Sequence, residues 1–589
     1  MAKGAMASLL RRLCVLFLLV GFAHSAFAER RPNVVLILID DLSHYGVTAY
    51  GADRMNCIRK GQEFENVRIA TPRMDKLAGE GVRFDRAFTY PLCESTRIAL
   101  MSGKDNRRNY LKPKSQHASD ITFGDIFQAE GYRTGMFGKW KQTRGTKEVP
   151  GREYISEFGW DEYVCFDVIG GGQRFINPNL VVNGKVVNYK GRTDLDPVTG
   201  RRWYGPDLCN RAALKFIEDN KDEPFFLYYP MLLVHDDHKP TPDTEPASDF
   251  DTFDEESPYV IKGRGDDARY FPDMLAYTDK LIGKLVDKLE AEGLRDDTLI
   301  VLMGDNGTKE IFQHVFPDGS IYPGRKGGNT DNGIHVPLIV SQPGRVESGK
   351  VYDGLTYLTD VLPSICDATG ISHEKYAEVD GISFWEQMEG ASGEPRDSIC
   401  TWYSANFEYT QKEEIFEYAF NKDFKRYSPT TAYPEGRFFD LRTDPLELEG
   451  DRFVARKWGV RWYSGLDLKN LTPEQQEGYD ELGMVLEAHR FVAVEGLRIR
   501  KPVKKMKEGE SRRLKVELIP SGATRTNVVW ESSDPSVATV DKFGNLRSHK
   551  AGKATIAAFS WDDAFPTSAN RKVTYHRDGI SDSFELMVK

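Results

Sequence analysis

Two short pairs of carboxylate and carboxamide residues each close a run of apolar residues. Asp40-Asp41 follows Asn33-Val34-Val35-Leu36-Ile37-Leu38-Ile39, and Asp305-Asn306 follows Thr298-Leu299-Ile300-Val301-Leu302-Met303-Gly304. Together they form an all-oxygen donor set of the kind that hard divalent cations take. A third feature is Cys93, with Arg97 four residues on, in Pro91-Leu92-Cys93-Glu94-Ser95-Thr96-Arg97-Ile98-Ala99-Leu100-Met101-Ser102-Gly103-Lys104. The apolar stretch that follows Arg97 reads as a helix. Alone, this pattern does not separate a reactive residue from the buried, inert thiol that most free cysteines are.

The elements around these residues give them a common address. The runs at 33–39 and 298–303 are strands buried on both faces, as in the centre of an α/β sheet. Residues 224–229 and 336–340 are two further short apolar strands. Helical periodicity lies between them, clearest over 274–292. Alternating strands and helices predict an open, mostly parallel sheet, in which ligands sit beyond the carboxyl ends of the strands. Two such ends are acidic, so a cation is expected in that crevice. Residues 243–256, rich in Asp, Glu, Ser and Pro, read as a solvated loop. Gly170-Gly171-Gly172 reads as a turn without the strand-turn-helix context of a phosphate cradle.

The bulk numbers bound the rest. Residues 1–28 carry Arg11 and Arg12, an apolar run at 13–23 and Ala26-Phe27-Ala28, the pattern of a secretory signal peptide. The apolar run is too short to span a bilayer, and no later segment approaches that length. An exported protein, periplasmic or extracellular and without a transmembrane anchor, is expected. Removing the three basic residues of the signal leaves 76 basic against 89 acidic residues, a net charge of −13. That excludes nucleic acid as a bulk partner and requires local positive charge wherever an anionic substrate binds. Six cysteines outside the signal, without zinc spacing, are too few for a disulfide scaffold.

From residue 492 the pattern changes to short alternating segments with turns between them: 514–518, 527–530, 536–540, 554–558 and 583–588. A small β-sandwich over 492–589 is expected. It resembles the bacterial Ig-like group 2 module, on Val529-Trp530-Glu531-Ser532-Ser533-Asp534-Pro535-Ser536-Val537-Ala538-Thr539-Val540-Asp541, Gly544 and Ala551-Gly552-Lys553-Ala554-Thr555-Ile556. Trp530 reads as a core residue. The resemblance implies a spacer or a contact to glycans or the cell surface.

Residues 29–490 resemble the formylglycine-dependent, type I (arylsulfatase-like) sulfatases. The likeness rests on the Cys93–Arg97 segment, the 31–42 strand with its aspartates, Gly135-Met136-Phe137-Gly138-Lys139-Trp140, Gly324-Arg325-Lys326-Gly327-Gly328, Gly333-Ile334-His335-Val336-Pro337 and Phe439-Asp440-Leu441-Arg442-Thr443-Asp444-Pro445, in family order. It implies an alkaline-phosphatase-like α/β domain with a smaller C-terminal subdomain over roughly 375–490. It also implies that a maturation enzyme oxidises Cys93 to formylglycine, whose hydrate attacks the sulfur of a sulfate ester. Arg97 would hold the formylglycine. Lys139 and Lys326 would bind sulfate, and His235, with His238 as its neighbouring candidate, would assist the leaving group. Asp40, Asp41, residue 93, Asp305 and Asn306 would hold the metal, and calcium suits this oxygen set better than magnesium.

Two positions depart from the family pattern. Ser95 replaces the usual proline, and Lys141 replaces the histidine that usually follows Lys-Trp. Lys141 with a lowered pKa is one candidate for the base that histidine would supply. The expected activity is hydrolysis of sulfate esters of sugars or polysaccharides. The alternatives are a phosphodiester or phosphonate monoester hydrolase of the same superfamily, and a noncatalytic glycan-binding surface protein.

Overall fold

A computed structural model describes residues 31–109, 116–142, 153–166, 174–253, 266–404, 415–430, 433–454, 461–561 and 579–589. The expected signal segment and the Gly170-Gly171-Gly172 turn lie outside the described residues. Five parallel strands form the centre of a ten-stranded sheet: β1 (Asn33–Ile39), β2 (Arg133–Lys139), β3 (Glu162–Phe166), β4 (Phe225–Pro230) and β5 (Thr298–Gly304). Their spatial order is β5–β1–β4–β2–β3. The β-branched and aliphatic run of β1 is buried at all seven positions because it has a strand on each side and a hydrophobic layer on each face. Val34, Leu36 and Leu38 pack with Phe123, Ile126 and Phe127, whereas Val35, Ile37 and Ile39 share the opposite layer with Phe216, Ile217, Leu281 and Ile282. This two-fold alternation places a helix layer on either side of the sheet.

Antiparallel pairs flank this parallel centre on both sides. The apolar segment expected at 336–340 becomes a strand at Leu338–Ser341, paired antiparallel to β5. On the far edge, Asn179–Val182 and Lys185–Asn188 form a hairpin beyond β3. The acidic 243–256 stretch is not wholly loop. Ser248–Asp251 makes one helical turn, because Phe250 is buried against Tyr204 and draws the chain onto the core.

A four-stranded antiparallel sheet follows (Ile399–Ser404, Ile415–Phe420, Phe424–Tyr427, Arg437–Asp440), with the helix Pro473–Ala488 against it. Ala419, Phe424, Phe438 and Leu482 close the contact between them. Lys425 of this sheet is buried, ion-paired with Glu447 at 2.7 Å, and donates to the carbonyl of Asn329. It thereby ties the sheet to the loop that carries Lys326.

The C-terminal region is all-β, with a core of Leu497, Ile499, Leu514, Val537, Leu546, Ile556, Leu586 and Val588. Trp530 packs half-buried against this core. The region does not hang free. Lys542 donates to Asp125 Oδ1 (2.9 Å), to the Asp120 carbonyl (3.1 Å) and to the Glu157 carbonyl (2.6 Å). Asn527 bonds both Asp120 and Lys104, and the buried Trp561 donates to Ser119 at 2.9 Å. Asp125 also closes the capping box of helix Phe123–Ala129, so the all-β region seats on a helix of the α/β core.

Lys542→Ala leaves Asp125 buried without its cation. We expect a loss of about 1–3 kcal/mol, read as a lower melting temperature and as new proteolytic cleavage near residue 490. An unchanged melt would show that the contact is dispensable.

Candidate functional site

The carboxyl ends of all five central strands converge on one crevice. Asp40 and Asp41 follow β1, Lys139 ends β2, Phe166 ends β3, His235 lies just beyond β4 and Asp305 follows β5. Two glycines let these ends approach. A Cβ on Gly138 would lie 1.9 Å from the Pro230 carbonyl, and one on Gly304 would lie 2.5 Å from the Leu42 carbonyl. Both positions are therefore closed to any side chain.

Asp40, Asp41 and Asp305 can each bring one oxygen within 4.8 Å of the others, and all three are buried. The Asp41 backbone N–H donates to Asp305 Oδ1 at 2.9 Å, and Asn306 Nδ2 donates to Asp41 Oδ1 at 2.8 Å. Asp40 Oδ1 and Asn306 Oδ1 are buried with no hydrogen-bond partner among the described residues. Buried oxygens without donors are costly unless something electropositive meets them. The donor set is all oxygen and fits a hard divalent cation.

Three cations meet the three carboxylates. Arg97 Nη2 lies 2.8 Å from Asp305 Oδ2, Lys139 pairs with Asp40, and Lys326 pairs with Asp41. Arg97 and Lys139 are completely buried, and Arg97 Nη1 also donates to the Lys139 carbonyl. Burial pushes the Asp40 carboxyl up, but Lys139, His235 and Arg97 more than offset it and hold it well below the usual range. Asp305 goes the other way. Burial and then the Asp40 charge push it to about 7, against Arg97 and Lys139. Three carboxylates this close resist simultaneous ionisation, and a cation bound among them would relieve that conflict.

Cys93 opens helix Cys93–Ser102 and is 1% exposed. Its thiol is pushed up by burial and then by Glu94, whose Oε2 lies 3.2 Å from Sγ. Lys141 Nζ stands 3.8 Å from Sγ and 3.4 Å from Glu94 Oε1. This corrects the expectation of a lowered Lys141 pKa. Burial pulls Lys141 down, but Cys93 and Glu94 push it above the ordinary lysine value, so it stays charged. Glu94 gives no signal in sequence, because the signature leaves its position variable.

Of the two candidate histidines, His235 faces the crevice. Its Nε2 is 3.8 Å from Asp41 Oδ2, and its Nδ1 is 2.7 Å from Asp236 Oδ1. Burial, then Lys326 and Lys139, lower it to about 3. His238 turns away, with Nδ1 2.7 Å from Asp266 and its ring against Phe271 and Phe312. His335 stacks on His44 at 4.0 Å beneath the strand ends. Arg174, which belongs to no motif, also enters the crevice, with Nη1 3.8 Å from Asp40 Oδ2.

Comparison with known proteins agrees with this geometry. The sulfatase family model matches residues 32–371, and the bacterial Ig-like domain (group 2) model matches residues 493–569. An arylsulfatase of Hemicentrotus pulcherrimus is 26% identical over 410 residues, covering 64% of this chain and 65% of that protein. An N-acetylglucosamine-6-O-sulfatase of Bacteroides thetaiotaomicron is 22% identical over 506 residues, covering 71% and 82%. The structure of BT4656 with its substrate D-glucosamine-2-N,6-O-disulfate superposes with a TM-score of 0.55 at 20% identity, covering 78% of this chain and 97% of that one. That last likeness is one of fold.

Native mass spectrometry should find one divalent cation per chain. Asp41→Ala removes a ligand and the partner of Lys326, so we expect at least about a 100-fold loss of cation affinity. Retention of the ion by this variant would place the metal elsewhere.

Proposed function

The chain belongs to the sulfatase family, and from that premise we propose that it is an exported, calcium-dependent sulfatase that removes sulfate from sulfated sugars. One observation carries the reading. Arg97 binds Asp305 from the helix that Cys93 opens, which joins the residue to be matured to the cation crevice in one buried network. Two of the similar proteins act on sulfated glucosamines by their names, which supports a sugar substrate. No helix among the described residues is long and apolar enough to cross a membrane.

Asp40, Asp41, Asp305 and Asn306 would hold calcium, with residue 93 beside them. When present, the cation supplies charge stabilisation to the ester oxygens, and formylglycine at residue 93 supplies the oxygen nucleophile. Lys139 and Lys326 bind the sulfate oxygens from opposite carboxylates. Asp236 fixes the His235 ring so that Nδ1 carries a proton and Nε2 points to the ester. Burial and the charges of Lys326 and Lys139 hold His235 neutral; a bound oxyanion offsets the lysines, so Nε2 would take up a proton from solvent and pass it to the leaving oxygen. Glu94 is the carboxylate placed to take a proton from residue 93 during sulfate release. Lys141 pairs with Glu94, where the family pattern has histidine.

The test joins chemistry to maturation. Peptide mass spectrometry on protein from its native host should find the aldehyde at residue 93. Sulfated monosaccharides should release sulfate, and Cys93→Ala should lower kcat by roughly 10³-fold or more. Faster turnover of matched phosphodiesters or phosphonate monoesters would move the chain to that chemistry. An unmodified thiol with glycan binding but no hydrolysis would make it a binding protein.

A further inference from the structure

Each cation around the crevice but one has a carboxylate close at hand. Lys139 meets Asp40, Lys326 meets Asp41, and Arg97 meets Asp305. Further out, Lys141 meets Glu94 at 3.4 Å and Lys309 meets Asp236 at 2.7 Å. Arg174 differs. Its nearest carboxylate oxygen among the described residues is Asp40 Oδ2 at 3.8 Å, and its Nη1 is buried without a hydrogen-bond partner among them.

The side chain is nevertheless held in place. Its guanidinium lies 4.9 Å from the ring centre of Phe166 and 5.8 Å from that of Phe175. Phe166 ends β3 directly beside Lys139 in the sheet register. The aromatic faces thus fix the fork next to the lysine assigned to sulfate, aimed at the same Asp40 oxygen that Lys139 contacts. Its positive charge reaches both His235 and Lys141 across the crevice. An N–H aimed inward without an acceptor is costly, and a planar guanidinium is shaped to take two oxygens of a tetrahedral oxyanion.

We propose that Arg174 is a third protein cation on the scissile sulfate, beside Lys139 and Lys326. This assignment rests on the sulfatase reading of the crevice. It makes Arg174 a substrate-binding residue from a segment outside the family motifs, on the β3 side of the pocket.

Inorganic sulfate is the probe, because it is the product whatever sugar carries the ester. Calorimetry on the calcium-loaded full-length protein should show that Arg174→Gln weakens sulfate binding about 10-fold or more, with calcium affinity and melting temperature preserved. KM for a monosulfated sugar should rise in parallel. Arg174→Lys, which keeps the charge but loses the fork, should fall between the two, and it decides the matter if the glutamine variant misfolds. Unchanged sulfate affinity in both variants overturns the proposal. So does a loss confined to a ligand with two sulfate groups, such as glucosamine 2-N,6-O-disulfate, which would assign Arg174 to a second anionic substituent. Wild-type protein that binds sulfate through Arg174 yet hydrolyses no sulfate ester would sink the activity and leave this assignment standing. Wild-type protein that binds no sulfate would end both.

Discussion

Three buried carboxylates packed into one crevice repel each other, and the surrounding structure is organised by that repulsion. Asp40 stays ionised because the charges of Lys139 and Arg97 stand beside it, while Asp305 is driven toward neutrality by burial and by Asp40. Neither solution is complete with protein groups alone, since Asp40 Oδ1 and Asn306 Oδ1 remain without donors among the described residues. A divalent cation would resolve the conflict, and the side-chain cations that compensate the carboxylates would then be in position for an anionic ester. Positive charge is thus concentrated where the strands end, which is what an acidic chain needs to receive an anionic ligand.

The support for this cluster extends well beyond it. Parallel strands aim their carboxyl ends at one point, and Gly138 and Gly304 remove the side chains that would hold those ends apart. The loop bearing Lys326 is tied to the second sheet through Lys425, whose own charge is satisfied by Glu447. Helix Phe123–Ala129 is clamped from outside by Lys542 of the all-β region. That region is therefore a structural partner of the core as well as an appended module. The clamp is polar and partly buried, which favours a fixed seat over a flexible tether.

Some of this was legible in the residues. β1 and β5 announce themselves as continuous apolar runs, and the Asp40-Asp41 and Asp305-Asn306 pairs that follow them lie within hydrogen-bond reach of one another. His235 and His238 are three residues apart and chemically alike, so only the fold separates them. One faces Asp41, and the other packs on Phe271 and Phe312. Lys141 shows the limit of reasoning from burial alone. A buried lysine is expected to lose its proton, but the neighbours that reverse the shift come partly from another element, the helix opening at Cys93.

The sequence by itself determined the elements and the inventory of chemistry. Its periodicities are local, and motifs such as Cys93–Arg97 or Gly138-Lys139-Trp140 carry their meaning within a few residues. Tertiary structure alone decided which charges meet. Glu94 and Lys141 stand 47 positions apart, and Arg174 reaches Asp40 across 134 positions. The energy of such contacts depends on distance and on exclusion of water, and neither quantity is encoded by a residue's immediate neighbours. They become fixed only when the strand ends and the loops beyond them are brought to one side of the sheet.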